Sequence, residues 1–280
     1  MSILLPPPFS GQPFSPSPDS AQIMDKPGVH GKLPGHGDFV TRRLSQEFVT
    51  AWDDWLQRAL SCSQELLGAD WLEIYLTSPV WRFVLSPGVV DARVWAGVMI
   101  PSVDRVGRYY PLTLAQSFAA TALPTALLVE QGDWFGELES AALAGLQDGV
   151  TIDELDHWLR DIATPALVTP ASAAVRQWEV SRPLALFLQQ PGQNPLSTYP
   201  VLLHDFLLQR FPSYSLWWSA GSERVSPASL MNACLPSPQC YTALLAGDWE
   251  QRGWAIPFPA IAPLPASAFP HITNDPVQNE

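Results

Sequence analysis

The sequence predicts an α/β fold in which helices cover both faces of a mixed, partly antiparallel sheet, and three observations predict it. Helix-like and strand-like apolar periods alternate along the chain. The central strand candidates are apolar in near-continuous runs, as expected for strands covered on both sides. Those candidates are joined by short turn-prone links, which demand antiparallel neighbours.

The elements follow in order. Residues 1–27 alternate Pro, Ser and Phe and read as an extended, solvated tail. In "KLPGHGDFVTRR" (Lys32–Arg43), Pro34-Gly35 signals a turn, Gly37 tolerates a positive φ, and Asp38 is placed to cap a short turn at Phe39–Arg43. From Ser45 to Leu60, Phe48, Val49, Trp52, Trp55, Leu56, Ala59 and Leu60 recur at helical spacing, with Ser45 as N-cap. A second short helix is expected from Asp70 to just before Pro79.

The period then changes. Val80–Ser86, Val94–Ser102 and Tyr109–Phe118 are rich in β-branched and aromatic residues and form an antiparallel meander. Two helices follow, at about Trp134–Leu146 and Thr151–Ile162, the latter opened by the capping box Thr151-x-x-Glu154. Pro183–Gln189 reads as a strand, Pro200–Arg210 as a helix and Tyr214–Ala220 as a strand, and residues 255–280 form a second Pro-rich tail. The folded domain is thus expected over 28–254.

The 280 residues include 47% hydrophobic side chains and twelve Trp, enough for a substantial core. A net charge of −12 argues against nucleic acid or an anionic membrane as the main partner. The charge is uneven: nine of fifteen cations lie between Lys26 and Arg108, whereas Glu130–Asp156 holds carboxylates and no Lys or Arg. Such a dipolar surface suits protein partners. Three cysteines, Cys62, Cys234 and Cys240, cannot all pair, which fits a reduced, cytoplasmic protein. The N-terminus carries no secretory signal pattern, and no apolar run approaches the roughly 20 residues of a membrane-spanning helix.

The search for chemistry returns fragments. There is no G-x-S-x-G, no H-E-x-x-H and no C-x-x-C, and Lys32 precedes the glycines where a phosphate loop needs it after them. No metal or cofactor is expected. His36, Asp38 and Asp104 would serve a small hydrolase or phosphatase if they converged in a cleft. Arg42, Arg43, Arg105 and Arg108 would serve an anion- or phosphopeptide-binding module if they clustered. Asp104, Arg105 and Arg108 sit in a hairpin loop around Gly107, and His36 reads as a surface histidine.

The stretches "GKLPGHGDFVTRRLSQEFVTAWDDWLQRAL", "YLTSPVWRFVLSPGV" and "WAGVMIPSVDRVGRYYPLTLA" resemble, in order and spacing, the TagF family of type VI secretion-associated proteins. Weaker similarity continues through "SLWWSAGSERV" and "YTALLAGDW", to about residue 254. Lys32, Gly35, Gly37, Asp38, Arg82, Asp104, Arg105, Gly107 and Arg108 match the family signature. The resemblance implies a three-layer α/β/α sandwich. It also implies a cytoplasmic, post-translational repressor of type VI secretion that binds an Fha-type forkhead-associated scaffold rather than turning over a substrate. The family domain sometimes adjoins a metal-dependent phosphatase; residues 255–280 are too few for one, so that activity is not carried over. Under this reading Lys32, Asp38, Arg42, Arg43, Asp104, Arg105 and Arg108 are the candidate partner-binding residues.

Overall fold

The computed structural model describes residues 26–165, 183–188 and 191–258. Its elements in chain order are β1 (Gly28–Gly31), β2 (Val40–Arg42), α1 (Gln46–Leu67), α2 (Trp71–Leu76), β3 (Trp81–Leu85), β4 (Val94–Ile100) and β5 (Leu112–Phe118). There follow α3 (Pro124–Glu130), α4 (Gly132–Gly145), α5 (Ile152–Asp161), α6 (Tyr199–Arg210), β6 (Tyr214–Ser219), β7 (Ala228–Ala233) and α7 (Pro238–Ala246).

Local chemistry sets several of these boundaries. The Ser45 side chain accepts from the N–H of Phe48 and starts α1, and Gly68, with φ of 57°, ends it. Thr151 and Glu154 form the predicted capping box of α5. Ser237 caps α7, Pro238 occupies its first turn, and Gly247 terminates it in the left-handed region.

Among the described residues the strands form one seven-stranded sheet in the order β2-β1-β5-β4-β3-β6-β7. Period-two alternation sends side chains to two cores. Val94, Ala96, Val98 and Ile100 of β4 join Leu112, Leu114 and Phe118 of β5 under Trp134, Phe135, Leu138, Leu155 and Leu159 of α4 and α5. The intervening Trp95 and Met99 join Trp81, Phe83 and Trp217 under Phe48, Trp52, Trp55 and Leu56 of α1 and Tyr241 and Leu244 of α7. The predicted sandwich, helices on both faces of a sheet, is therefore present.

Three expectations are corrected. Every pairing between named strands is antiparallel, so only the antiparallel part of the expected mixed sheet exists. The continuous apolar runs do mean what was expected of them, since β4 and β5 are buried along their whole lengths under helices on both faces. The segment Phe39–Arg43 holds a three-residue strand, β2, instead of a turn, because Val40–Arg42 finds β1 as a partner. The strand expected at Pro183–Gln189 is not there: residues 183–188 have no regular structure and are exposed, joining no strand of the sheet, and Gln189 lies outside the described residues. The terminal segments called tails also fall outside them, except for Lys26, Pro27 and residues 255–258. Among the described residues no helix is long and apolar enough to cross a membrane.

Candidate functional site

The two charged motifs lie far apart in sequence and meet at the β2 end of the sheet. One is the loop between β1 and β2. The other is the turn between β4 and β5, closed by a bridge between Val103 and Tyr109 and reversed at Gly107, whose φ of 86° suits glycine. The pairing of β1 with β5 brings them together. The N–H of Arg105 donates to the carbonyl of His36 at 2.9 Å, and the hydroxyl of Ser102 donates to the carbonyl of Lys32 at 2.7 Å. Leaving β1, Gly31 has a φ of 134°, and a Cβ there would lie 2.1 Å from the carbonyl oxygen of Pro111. Only glycine lets the loop run this close to its partner.

At the centre is a buried ion pair. Lys32, only 3% exposed, places Nζ 3.0 Å from Oδ2 of Asp104, which is buried as deeply. Asp104 also accepts from the Nε of Arg108 at 2.6 Å and from the backbone N–H groups of Val106 at 3.0 Å and Arg108 at 2.9 Å. Burial alone would raise the Asp104 carboxyl; these donors, the Arg108 N–H foremost, outweigh it and hold the group well below the usual carboxylate range. With four donors on two oxygens, Asp104 is a fixed anion with no proton to give.

The loop tip is braced from several sides. Nζ of Lys32 sits 4.1 Å from the centre of the Phe39 ring, and His30 stacks on that ring at 5.7 Å between centroids. Tyr110 meets Phe39 edge-on at 4.8 Å. His30 is itself buried between Thr41, at 2.8 Å from Nδ1, and Asp53 of α1, at 2.8 Å from Nε2, while the Tyr110 hydroxyl donates to the same Asp53 oxygen. Burial pushes the Asp53 carboxyl up, but the hydrogen bonds to His30 and Tyr110 together hold it below its usual value. Burial and Asp53 push the Tyr110 phenol far up.

The seven candidate residues thus fall into two groups. Lys32, Asp104 and Arg43 are occupied internally: Arg43 donates to the carbonyl of Pro27 at 2.7 and 3.0 Å and pairs with Asp156 of α5. Asp38, Arg42, Arg105 and Arg108 are exposed, although Arg108 is tied to Asp104 and to the carbonyl of Gly37. Arg42 lies 3.8 Å from Asp153. The four arginines do not form one anion cradle, since Arg42 and Arg43 turn to carboxylates of α5 while Arg105 and Arg108 turn to the Gly35–Phe39 loop.

His36, Asp38 and Asp104 belong to the same pair of loops. Both carboxylates approach Lys32 Nζ, at 3.7 and 3.0 Å, but His36 is half-buried rather than on the surface as its loop position implied, and contributes its backbone carbonyl. Among the described residues no group of three or more His, Cys, Asp or Glu side chains is placed to hold a metal ion. A shallow groove of about 580 Å³ between α4 and α5, lined by Gly136, Glu137, Ser140 and Trp158, lies apart from both motifs.

Sequence reasoning missed Phe39 and Val106, which stand 45% and 64% exposed between the charged groups. Both are apolar residues inside polar turns, and that mismatch was the available signal. Arg82, which the signature includes, lies elsewhere: it pairs with Glu139 of α4 at 2.6 Å, on the face of the sheet away from α1.

The family model for the TagF N-terminal domain, type VI secretion system-associated, matches residues 28–162, which contain both loops. Among solved structures, PA0076 from Pseudomonas aeruginosa PAO1 is similar over 84% of this chain and all of its own, at 33% identity and a TM-score of 0.69. A search of curated proteins gave no match.

Proposed function

The chain belongs to the TagF family of type VI secretion system-associated proteins, and from that premise we propose that it is a cytoplasmic, post-translational repressor of type VI secretion that works by binding. Its partner in this reading is an Fha-type forkhead-associated scaffold protein. The observation that carries it is the convergence of the two motif loops into one braced knob. The buried Lys32–Asp104 pair neutralises charge inside, and Phe39, Arg105, Val106 and Asp38 are left outside on a rigid base. A prepositioned aromatic beside charged groups is the usual make-up of an interface anchor, because little side-chain freedom remains to be lost on binding.

Binding rather than turnover also fits the saturation of Asp104, the most perturbed carboxylate of the knob. The test is a calorimetric titration of the purified scaffold into wild-type protein and into Phe39→Ala and Arg105→Glu variants. Each variant is expected to bind at least about tenfold more weakly, a loss of about 1.4 kcal/mol, while remaining folded. Wild-type affinity in both variants would remove the knob from the interface, and no binding by wild type would remove the scaffold.

A further inference from the structure

The opposite edge of the sheet is built differently. β7 has six residues, pairs only with β6 among the described strands, and holds no charge and no proline. The surrounding sequence from Val225 to Gly247 contains no Asp, Glu, Lys, Arg or His, in a chain of net charge −12. Strand edges in soluble proteins are ordinarily shortened, charged or interrupted by proline, because their free N–H and C=O groups otherwise recruit another strand. β2 shows those safeguards, being three residues long with Arg42 at its end and Arg43 following it. β7 shows none.

The direction of the free groups can be assigned. The N–H of Cys234 donates to the carbonyl of Ser213, so Cys234 faces β6 and, by antiparallel alternation, so do Asn232, Leu230 and Ala228. The backbone groups of Ser229, Met231 and Ala233 therefore point outward. The side-chain amide of Asn232 donates to the carbonyl of Ala233 at 2.7 Å, which occupies that acceptor.

We propose that β7 pairs antiparallel with β7 of a second copy of this chain about a twofold axis at Leu230. In this register Ser229 stands opposite Met231 of the second copy and exchanges both backbone hydrogen bonds with it, and the symmetry repeats the exchange. Pro227, which has no N–H, stands opposite Ala233, whose carbonyl is already taken; the Ala233 N–H remains free to donate to the Pro227 carbonyl. About six backbone hydrogen bonds form and no donor meets an absent acceptor. The uncharged edge is where two acidic copies approach with the least repulsion. One strand pair buries less than the ~1,200 Å² of a standard stable interface, so the dimer is weak, with a Kd of about 10–100 µM.

Sedimentation equilibrium on the full chain, from about 5 to 500 µM to bracket that range, tests this. Wild type is expected to follow a monomer–dimer equilibrium. Met231→Pro removes one outward N–H and leaves the β6 ladder untouched, so its Kd should rise at least about tenfold. Met231→Lys, which keeps the backbone and adds like charges near the axis, should do the same and decides the matter if the proline variant has a lowered Tm. Leu230→Cys combined with Cys234→Ser should yield a disulfide dimer on oxidation, since facing residues at such a position lie about 4.5 Å apart at Cα. Wild type that stays monomeric throughout overturns the proposal, as it would if the edge served only a strand of another protein. A dimer unchanged by both Met231 substitutions overturns it as well.

Discussion

The two edges of one sheet handle exposure in opposite ways. At β2 the strand is short and its surroundings are charged, yet the charges are largely used within the molecule: Lys32 with Asp104, Arg43 with Asp156, Arg108 with Asp104. What remains for a partner is a set of side chains on a stiff support. β7 itself carries no charge, and among the described strands its outer backbone groups have no partner. Side-chain recognition discriminates among partners, whereas backbone recognition accepts any strand of fitting register. The proposed scaffold contact is of the first kind and the proposed self-pairing of the second.

The sharpest way to break this comparison is to remove the buried cation. Lys32→Met is expected to cost about 3 kcal/mol, at the low end for one partner of a buried pair because Arg108 still faces Asp104. For a domain of this size that is a fall of roughly 6–12 °C in Tm, readable by thermal denaturation. Met231→Lys at the other edge changes charge by the same amount and should alter stability by no more than about 0.5 kcal/mol. Equal effects at both sites would show that the β2 edge is not specially braced.

Next in size is the loss of Asp53. Asp53→Asn weakens the hydrogen bonds holding buried His30 and Tyr110, at about 1–3 kcal/mol near neutral pH. Its pH signature has a definite sign. A carboxylate lowered in the folded state contributes its full stability above its unfolded pKa, about 3.9, and loses it as pH falls through the lower folded value. Wild type should therefore lose stability below about pH 4, and the Asn variant should show a shallower acid limb in Tm against pH. An unchanged limb would mean that Asp53 is not held below its ordinary value.

Smaller again is Phe39→Ala. The ring is 45% exposed and touches Lys32, His30 and Tyr110, so truncation should cost about 1 kcal/mol, well under the ~3–5 kcal/mol of a core aromatic such as Trp81. Urea titrations of Phe39→Ala and Trp81→Ala give the ratio directly.

Legibility followed the range of the interactions. The Ser45 cap, the Thr151–Glu154 box and the β3–β4–β5 meander were readable because cause and effect lie within a few residues of each other. β1 was not, since "GVHG" has no periodicity and is a strand only because β5 and β2 flank it. β7 was missed because "ASLMNA" mixes small, apolar and amide side chains and carries almost no propensity signal. At the site, the residue types of both motifs were visible, but the Lys32–Asp104 pair spans most of the first half of the chain. Nothing local told a binding lysine from a buried one. Arg105 and Arg108 looked equivalent in one turn until Asp104 proved to be buried beneath them and to hold only Arg108 by its side chain.

That distinction yields the prediction with the smallest effect on stability. Arg105 is anchored by its backbone N–H to the His36 carbonyl, an interaction that any non-proline residue keeps, while its exposed guanidinium lies over Gly37. Arg105→Glu should therefore change stability by less than about 0.5 kcal/mol. Arg108→Glu removes the Nε donor from Asp104 and sets a carboxylate beside a buried one, and should be clearly the more destabilised of the two. Measuring the Tm of both variants under one buffer condition separates a turn whose first arginine faces outward from a turn whose charges all support the fold. If Arg105→Glu falls as far as Arg108→Glu, the outward group at the β2 edge is structural too, and the contrast with β7 reduces to one of charge alone.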